Sequence, residues 1–280
     1  MTVGTRRIVL GGVRGSASLS HADFMRFGGS TSCVLVENGA DTRIVIDGGT
    51  GLRTLAPHLT GSSAEAPVLM LFTHYHLDHL TGLPPFPFLY DPNWHIVFAS
   101  PPCDGVTAEA ALHTLIGKPF WPAPFLARQR FVVLPEACGG SPLRHGAFDV
   151  SWCALRHCFG CYAYRIEDRA TGAAMVLATD LDWRTSGEAE RAALIRFCRE
   201  PRPASVLITE GYAPESPFAN WGHCAWPDSV GVAKASGVRR LVITHHATND
   251  DDGVLLRRER EIQSVFPQAE LGYEGMVLPW

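Results

Sequence analysis

Short, uninterrupted runs of aliphatic and β-branched residues recur along the chain, and each stops abruptly at a polar residue. Ile44-Val45-Ile46 stops at Asp47, Val68 to Thr73 at His74, and Met175 to Thr179 at Asp180. Val206-Leu207-Ile208-Thr209 stops at Glu210, and Leu241-Val242-Ile243-Thr244 at His245. Runs without polar alternation predict strands buried on both faces, as in a layered α/β protein. Phe148, Val150, Trp152 and Ala154 alternate instead and predict a strand with one wet face, while Ile8-Val9-Leu10 predicts an opening strand. Helices fall between the runs. Thr185 with Glu188 reads as a capping box for a helix running to Arg199, before Pro201. Pro227 suits a first helical turn that leads to a stop at Gly237. Asp250-Asp251-Asp252 suits the positive end of a helix over Val254 to Phe266, and Thr107 to Ile116 predicts a further helix stopped by Gly117. Segments 81–102 and 117–145 are rich in Pro and Gly and predict loops, although Phe86, Phe88, Phe120, Trp121 and Phe125 call for burial.

Composition narrows the class. The 280 residues are 46% hydrophobic and 19% charged, enough for a large core, and one domain over 1–280 is expected. A formal net charge of -4 disfavours long nucleic acid as a partner. No apolar run reaches the roughly 18–20 residues of a membrane span. The stretch after Arg6-Arg7 is too short for a secretory signal, so a cytoplasmic protein is expected. The eight cysteines lack disulfide-scaffold spacing and predict reduced thiols, and Cys158-Phe-Gly-Cys161 has no second pair to complete a zinc knuckle.

The densest chemistry is Thr73-His74-Tyr75-His76-Leu77-Asp78-His79. Two residues apart in extended backbone, His74 and His76 point the same way and can share one ion. Asp78 and His79, on the following turn, are offset toward a second. One turn cannot close two ions, so His157, Asp180 and His245, each after a predicted strand, are the expected additional ligands. Three nitrogens and a bridging carboxylate on one ion, with Asp, His, Asp and His on the other, leave positions open for water, as catalytic sites do. His246 competes with His245 for the last place. Zn is the first expectation for this nitrogen and oxygen set, with Mn or Fe as alternatives. Asp47 is expected to support the metal loop without joining the ligands.

This H-x-H-x-D-H sequence, followed by His157, Asp180 and His245 in order, resembles the metallo-β-lactamase superfamily. The resemblance implies an α/β fold: a four-layer αβ/βα sandwich of two mixed β-sheets flanked by helices, with two divalent metal ions in a shallow cleft at one edge. Asp180 at the bridging position, the Gly28-Gly29-Ser30-Thr31-Ser32-Cys33 and Asp47-Gly48-Gly49-Thr50-Gly51 segments, and Glu210 with Trp221-Gly222-His223 are similar to the phosphodiesterase branch. That branch includes the tRNA 3′-end-processing endonucleases and the phosphonate-pathway cyclic phosphodiesterase. Two features depart from the branch: Cys158-Phe159 follows His157, with the thiol expected to pack inward, and no insert resembles the endonucleases' tRNA-clamping arm. The implied function is a binuclear metal-dependent hydrolase acting on a small or cyclic phosphodiester through a metal-bridging hydroxide. Asp78 would orient the nucleophile, His223 would protonate the leaving oxygen, and Glu210 would fix the His223 tautomer. The alternatives are a thioester, lactone or lactam hydrolase and a non-catalytic metal-binding or carrier protein. A small ester is the expected partner, and apolar loops such as 117–126 suggest a lid or a homodimer contact. Arg14, Arg53, Arg239, Arg257 and Arg258 are expected at the surface.

Overall fold

The computed structural model describes residues 6–39, 41–59, 61–122, 129–137, 141–216 and 221–280. The first half of the chain supplies strands β1 (Arg7–Gly12), β2 (Cys33–Glu37), β3 (Arg43–Ile46), β4 (Val68–Leu71), β5 (Ile96–Ser100) and β6 (Arg130–Val133), with helices α1 (Leu52–Leu55) and α2 (Ala108–Leu115). The second half supplies β7 (Leu143–His145), β8 (Phe148–Leu155), β9 (Cys161–Asp168), β10 (Ala174–Ala178), β11 (Val206–Glu210), β12 (Arg240–Thr244) and β13 (Ala269–Leu271). Helices α3 (Glu188–Arg199), α4 (Trp226–Ser236) and α5 (Asp252–Val265) lie among them, and β14 (Val277–Pro279) closes the chain.

Among the described residues these strands form two seven-stranded sheets, ordered β14-β1-β2-β3-β4-β5-β6 and β7-β8-β9-β10-β11-β12-β13. Both follow one pattern: the first three pairings are antiparallel and the last three parallel. In the parallel-paired strands β3, β4, β10, β11 and β12 the apolar runs are buried on both sides, as their lack of alternation predicts, whereas edge strand β6 is partly exposed. Ile44, Ile46, Leu69 and Leu71 from the first sheet meet Leu177, Ile208 and Val242 from the second in a central core. Val45, Val68 and Met70 face outward against Leu52, Leu55 and Leu112 of α1 and α2. Val176, Leu207 and Ile243 face outward against Leu194, Val230 and Leu255 of α3, α4 and α5. The result is the expected four-layer αβ/βα sandwich. No helix among the described residues is long and apolar enough to cross a membrane.

Several local expectations change. Helix α3 is capped at Gly187, whose N–H donates to Glu190 Oε2 at 2.6 Å, so the box lies two residues beyond Thr185 and Glu188. Thr185 is instead held by its N–H donating to Asp182 Oδ1 at 3.1 Å. The 81–102 segment ends in β5, and 117–145 contains β6 and β7. Their runs pair within sheets despite Pro-rich flanks. Phe86 is buried and Phe88 stacks on Trp94, but Phe120 is 68% exposed; Phe125 and Cys138 lie outside the described residues. Arg14 and Arg258 are buried: Arg14 donates to the carbonyls of Gly28, Ala247 and Asp250, and Arg258 pairs with Asp250. Both guanidiniums are thus engaged within the protein, with Arg14 Nη2 alone buried without a hydrogen-bond partner.

Candidate metal centre

The rim of the sandwich gathers side chains from both sheets. His74, His76, Asp78 and His79 follow β4, His157 follows β8, Asp180 follows β10, Glu210 ends β11, and His245 follows β12. Three of the strand-end residues hold φ in the left-handed region: Asp47 at 64°, Asp180 at 59° and His245 at 54°. That region is uncommon for any residue but Gly, though Asn, Asp and His enter it more readily than others, so all three depart from the commoner backbone at the site.

All seven residues expected to hold metal come together. The ring nitrogens of His74, His76 and His157 lie within 4.8 Å of one another, as do the donor atoms of Asp78, His79 and His245. Asp180 lies between the trios. Its Oδ2 is 3.3 Å from His79 Nε2, and its Oδ1 is 3.3 Å from His245 Nε2 and 3.8 Å from His157 Nε2. Asp78 Oδ2 is 3.4 Å from His79 Nε2 and 3.3 Å from His245 Nε2.

The chemistry of this donor set fits divalent cations. His74 Nε2, His79 Nε2 and Asp180 Oδ2 are buried without a hydrogen-bond partner, an arrangement that is costly unless a ligand satisfies them. The opposite ring nitrogens are engaged, which directs the Nε2 atoms inward. His79 Nδ1–H donates to Asp47 Oδ2 at 2.8 Å, and His157 Nδ1–H donates to the Gly222 carbonyl at 2.8 Å. His74 Nδ1 is 3.0 Å from Thr73 Oγ1, and His245 Nδ1 is 3.0 Å from the Tyr212 hydroxyl. Asp47 also accepts from the Thr73 N–H at 2.8 Å and from its hydroxyl, so one carboxylate fixes both the turn and the His79 ring. Asp78 Oδ2 accepts from the Ser16 N–H at 2.7 Å. Burial and the neighbouring His79 depress the His74 imidazole well below its ordinary value, toward the neutral form a ligand needs. Burial opposes charge on His79 too, but Asp78, Asp180 and Asp47 around it outweigh burial and raise it.

Beside the ligand cluster, His223 Nδ1–H donates to Glu210 Oε2 at 2.7 Å. Glu210 Oε1 accepts from the Leu181 N–H at 2.6 Å and the Cys224 N–H at 3.3 Å, which fixes the carboxylate before it meets the ring. Burial would lower the His223 imidazole, yet the Glu210 carboxylate, with Asp180 and Asp78, holds it up to about 9. His223 Nδ1 is also 3.7 Å from Asp180 Oδ1, and its ring centroid lies 5.3 Å from that of His157.

The competing candidate, His246, lies apart from the cluster. His246 turns away: its Nε2–H donates to the Gly272 carbonyl at 2.8 Å, its ring meets Phe27 edge-on, and burial pushes it down to about 3. The Cys158 side chain is exposed where an inward-packed thiol was expected, because Phe159 at φ 63° and Gly160 at φ 91° carry the loop outward before buried Cys161. Sequence reasoning missed Tyr212, Ser16 and the Gly222 carbonyl. Each reaches the site through long-range closure of the chain and leaves no local spacing to read.

Residues 26–97 match the family model described as the metallo-beta-lactamase superfamily. No curated protein matches the chain. Among solved structures, the metallo-beta-lactamase fold protein YhfI from Bacillus subtilis is 20% identical at TM-score 0.72, covering 99% of this chain and 100% of that one. A diphosphatase from the PhnP family is 15% identical at TM-score 0.69, covering 98% of each chain. Human tRNase Z, short form, is 17% identical at TM-score 0.66, covering 97% of this chain and 98% of that one. At these identities the likeness is one of fold.

Proposed function

We propose that this chain, which has the metallo-β-lactamase fold and matches that superfamily's model over residues 26–97, is a binuclear metal-dependent phosphodiesterase acting on a small or cyclic phosphodiester. The observation that carries the reading is the juxtaposition of two ligand trios sharing Asp180 with the buried Glu210–His223 pair. His74, His76 and His157 would hold one cation, and Asp78, His79 and His245 the other, with Asp180 facing both. Zn suits this donor set, and Mn or Fe fits it as well. When bound, such cations supply a nucleophile at neutral pH and offset charge on the substrate oxygens.

The remaining work belongs to side chains. Asp47, Gly222 and Tyr212 keep the rings of His79, His157 and His245 in the tautomer and orientation that present Nε2 inward. Asp78, tied by the Ser16 N–H, is placed to orient a nucleophile. His223 has Nδ1 committed to Glu210, so Nε2 is the nitrogen left to meet a substrate. Protonated, it donates to the oxygen that leaves and becomes neutral; Glu210 stabilises the imidazolium before that transfer and keeps the Nδ1–H tautomer after it. A group that delivers a proton suits an alkoxide leaving from phosphorus. Two fold neighbours, a diphosphatase and a tRNase Z, point toward phosphorus as well.

Metal analysis paired with an ester panel tests the reading. Protein loaded with two metals should turn over bis(p-nitrophenyl) phosphate, and His223→Ala should lower kcat by about 10²–10⁴ on a phosphodiester with an alkoxide leaving group, such as a 2′,3′-cyclic nucleotide, because p-nitrophenolate leaves without a proton. Turnover of a thioester or lactam in place of the phosphodiester would move the assignment to an acyl hydrolase. A doubly loaded protein with no turnover on any ester would make it a non-catalytic binder. Undiminished turnover of the alkoxide-leaving phosphodiester by His223→Ala would remove the role given to His223.

A further inference from the structure

A recess opens directly beside the three-histidine side of the centre. It has a volume of about 170 Å³, and its walls include Tyr75, Cys103, Val106 and Phe159, with His74 and His76 at its inner end. Three loops build it: the turn after β4, the loop between β5 and α2, and the loop between β8 and β9. An apolar cavity of roughly 150 Å³ is enough to hold one benzene ring.

Phe159 is the unusual wall. It is 73% exposed beside a polar centre and holds φ at 63°, a conformation that is unfavourable for a bulky residue and that glycine would adopt freely. Exposure and backbone strain together, two residues after His157, are a poor choice for stability and call for a role in binding. Val106, across the recess, is 43% exposed, and the facing loop is tied by paired backbone hydrogen bonds between Cys103 and Val106 at 2.9 Å. Burial pushes the Cys103 thiol up to about 12, so that wall behaves as an uncharged apolar surface. No Lys or Arg is among the described residues that line the recess. The carboxylate of Asp104 stands at its edge, and the groove that continues past Phe159 adds Glu136. A second phosphate or other anionic arm would meet those carboxylates with no Lys or Arg among the described lining residues to offset them.

We propose that this recess is a specificity subsite that receives a neutral aromatic arm of the substrate, with the ring packed against Phe159 while the ester is held at the metal centre. The assignment rests on the proposed phosphodiesterase function for the identity of the ester, and on the walls of the recess for the identity of the arm. The substrate class is then an aryl- or base-bearing phosphodiester. An oligophosphate is excluded.

Binding of two product-like phosphonates tests the proposal without turnover. Calorimetry on metal-loaded protein should give phenylphosphonate about tenfold tighter binding than methylphosphonate, as burial of a ring against an aromatic wall requires. Phe159→Ala should bring the ratio toward one, and Val106→Asp, which charges the opposite wall, should do the same. Phenylphosphonate should also slow iodoacetamide alkylation of Cys158, which lines the recess, more than methylphosphonate does at equal saturation. Equal affinities for the two phosphonates, or a ratio unchanged in both variants, would overturn the subsite and leave the phosphodiesterase reading standing. A ring preference in a protein that cleaves no phosphodiester would overturn that reading and leave the subsite. Failure of both phosphonates to bind would overturn both.

Discussion

One hydroxyl governs which nitrogen His245 offers to the centre. Tyr212 Oη sits 3.0 Å from His245 Nδ1 in a buried setting, and His245 Nε2 then faces Asp78 and Asp180. Tyr212→Phe removes that partner without changing the packing. It should weaken occupancy of the site with Asp78 and His79 by about 10–100-fold while the three-histidine site keeps its metal. Competition with a chromophoric chelator would separate the two affinities. Gly15 matters for space: a Cβ there would lie 2.4 Å from His245 Cε1 and 2.8 Å from the Tyr212 hydroxyl. Gly15→Ala should therefore lower metal stoichiometry from two toward one with the far-ultraviolet dichroism unchanged. His74 to His79 were legible in the sequence because their spacing is itself the geometry. Tyr212 was not, because its partner lies 33 residues away and only the folded sheet brings them together.

At the scale of elements, polar residues at helix starts were readable where the side chain does the capping. Asp251 Oδ1 accepts from the Val254 N–H at 2.7 Å at the head of α5, and Thr107 Oγ1 accepts from the Ala110 N–H at 3.3 Å at the head of α2. Asp251→Ala should cost about 1 kcal/mol. Urea titration would show this as a lower midpoint with an unchanged slope. The start of α3 was misread because the pattern rule looks for a hydroxyl, whereas here Glu190 reaches back to a glycine N–H. Strand β5 was obscured by the prolines before it. Its identity rests on parallel pairing with β4 and β6, a long-range condition that no local window contains.

For the whole molecule, the two halves share an order of strand pairings although no repeat is visible in the residues. Pairing is a property of the backbone, and many sequences satisfy it once both faces are apolar. The candidate ligands are divided between the halves: four follow β4 in the first sheet, and three follow β8, β10 and β12 in the second. Cations held between them favour the folded state by mass action, about 2.7 kcal/mol at a hundredfold excess over Kd. Chelation should therefore lower Tm, and Asp180→Ala should shrink the difference between loaded and stripped protein. Acid acts on a different group. His246 is held neutral with its value near 3, against 6.5 when unfolded. The unfolded chain therefore binds the extra proton, and stability falls as pH drops from about 6.5 toward 3, by roughly 1.4 kcal/mol per unit. The decline of Tm between pH 7 and pH 5 should be shallower in His246→Gln. The left-handed backbones of Asp47, Asp180 and His245 carry a last consequence for anyone engineering a hardier variant. Replacing these residues with glycine would relax the chain at each point and could raise its melting temperature, yet each exchange would delete a side chain the centre depends on. A selection that rewards heat resistance alone should drift toward a sturdy, inert shell, and screening for bound metal alongside survival would reveal that drift at these three positions first.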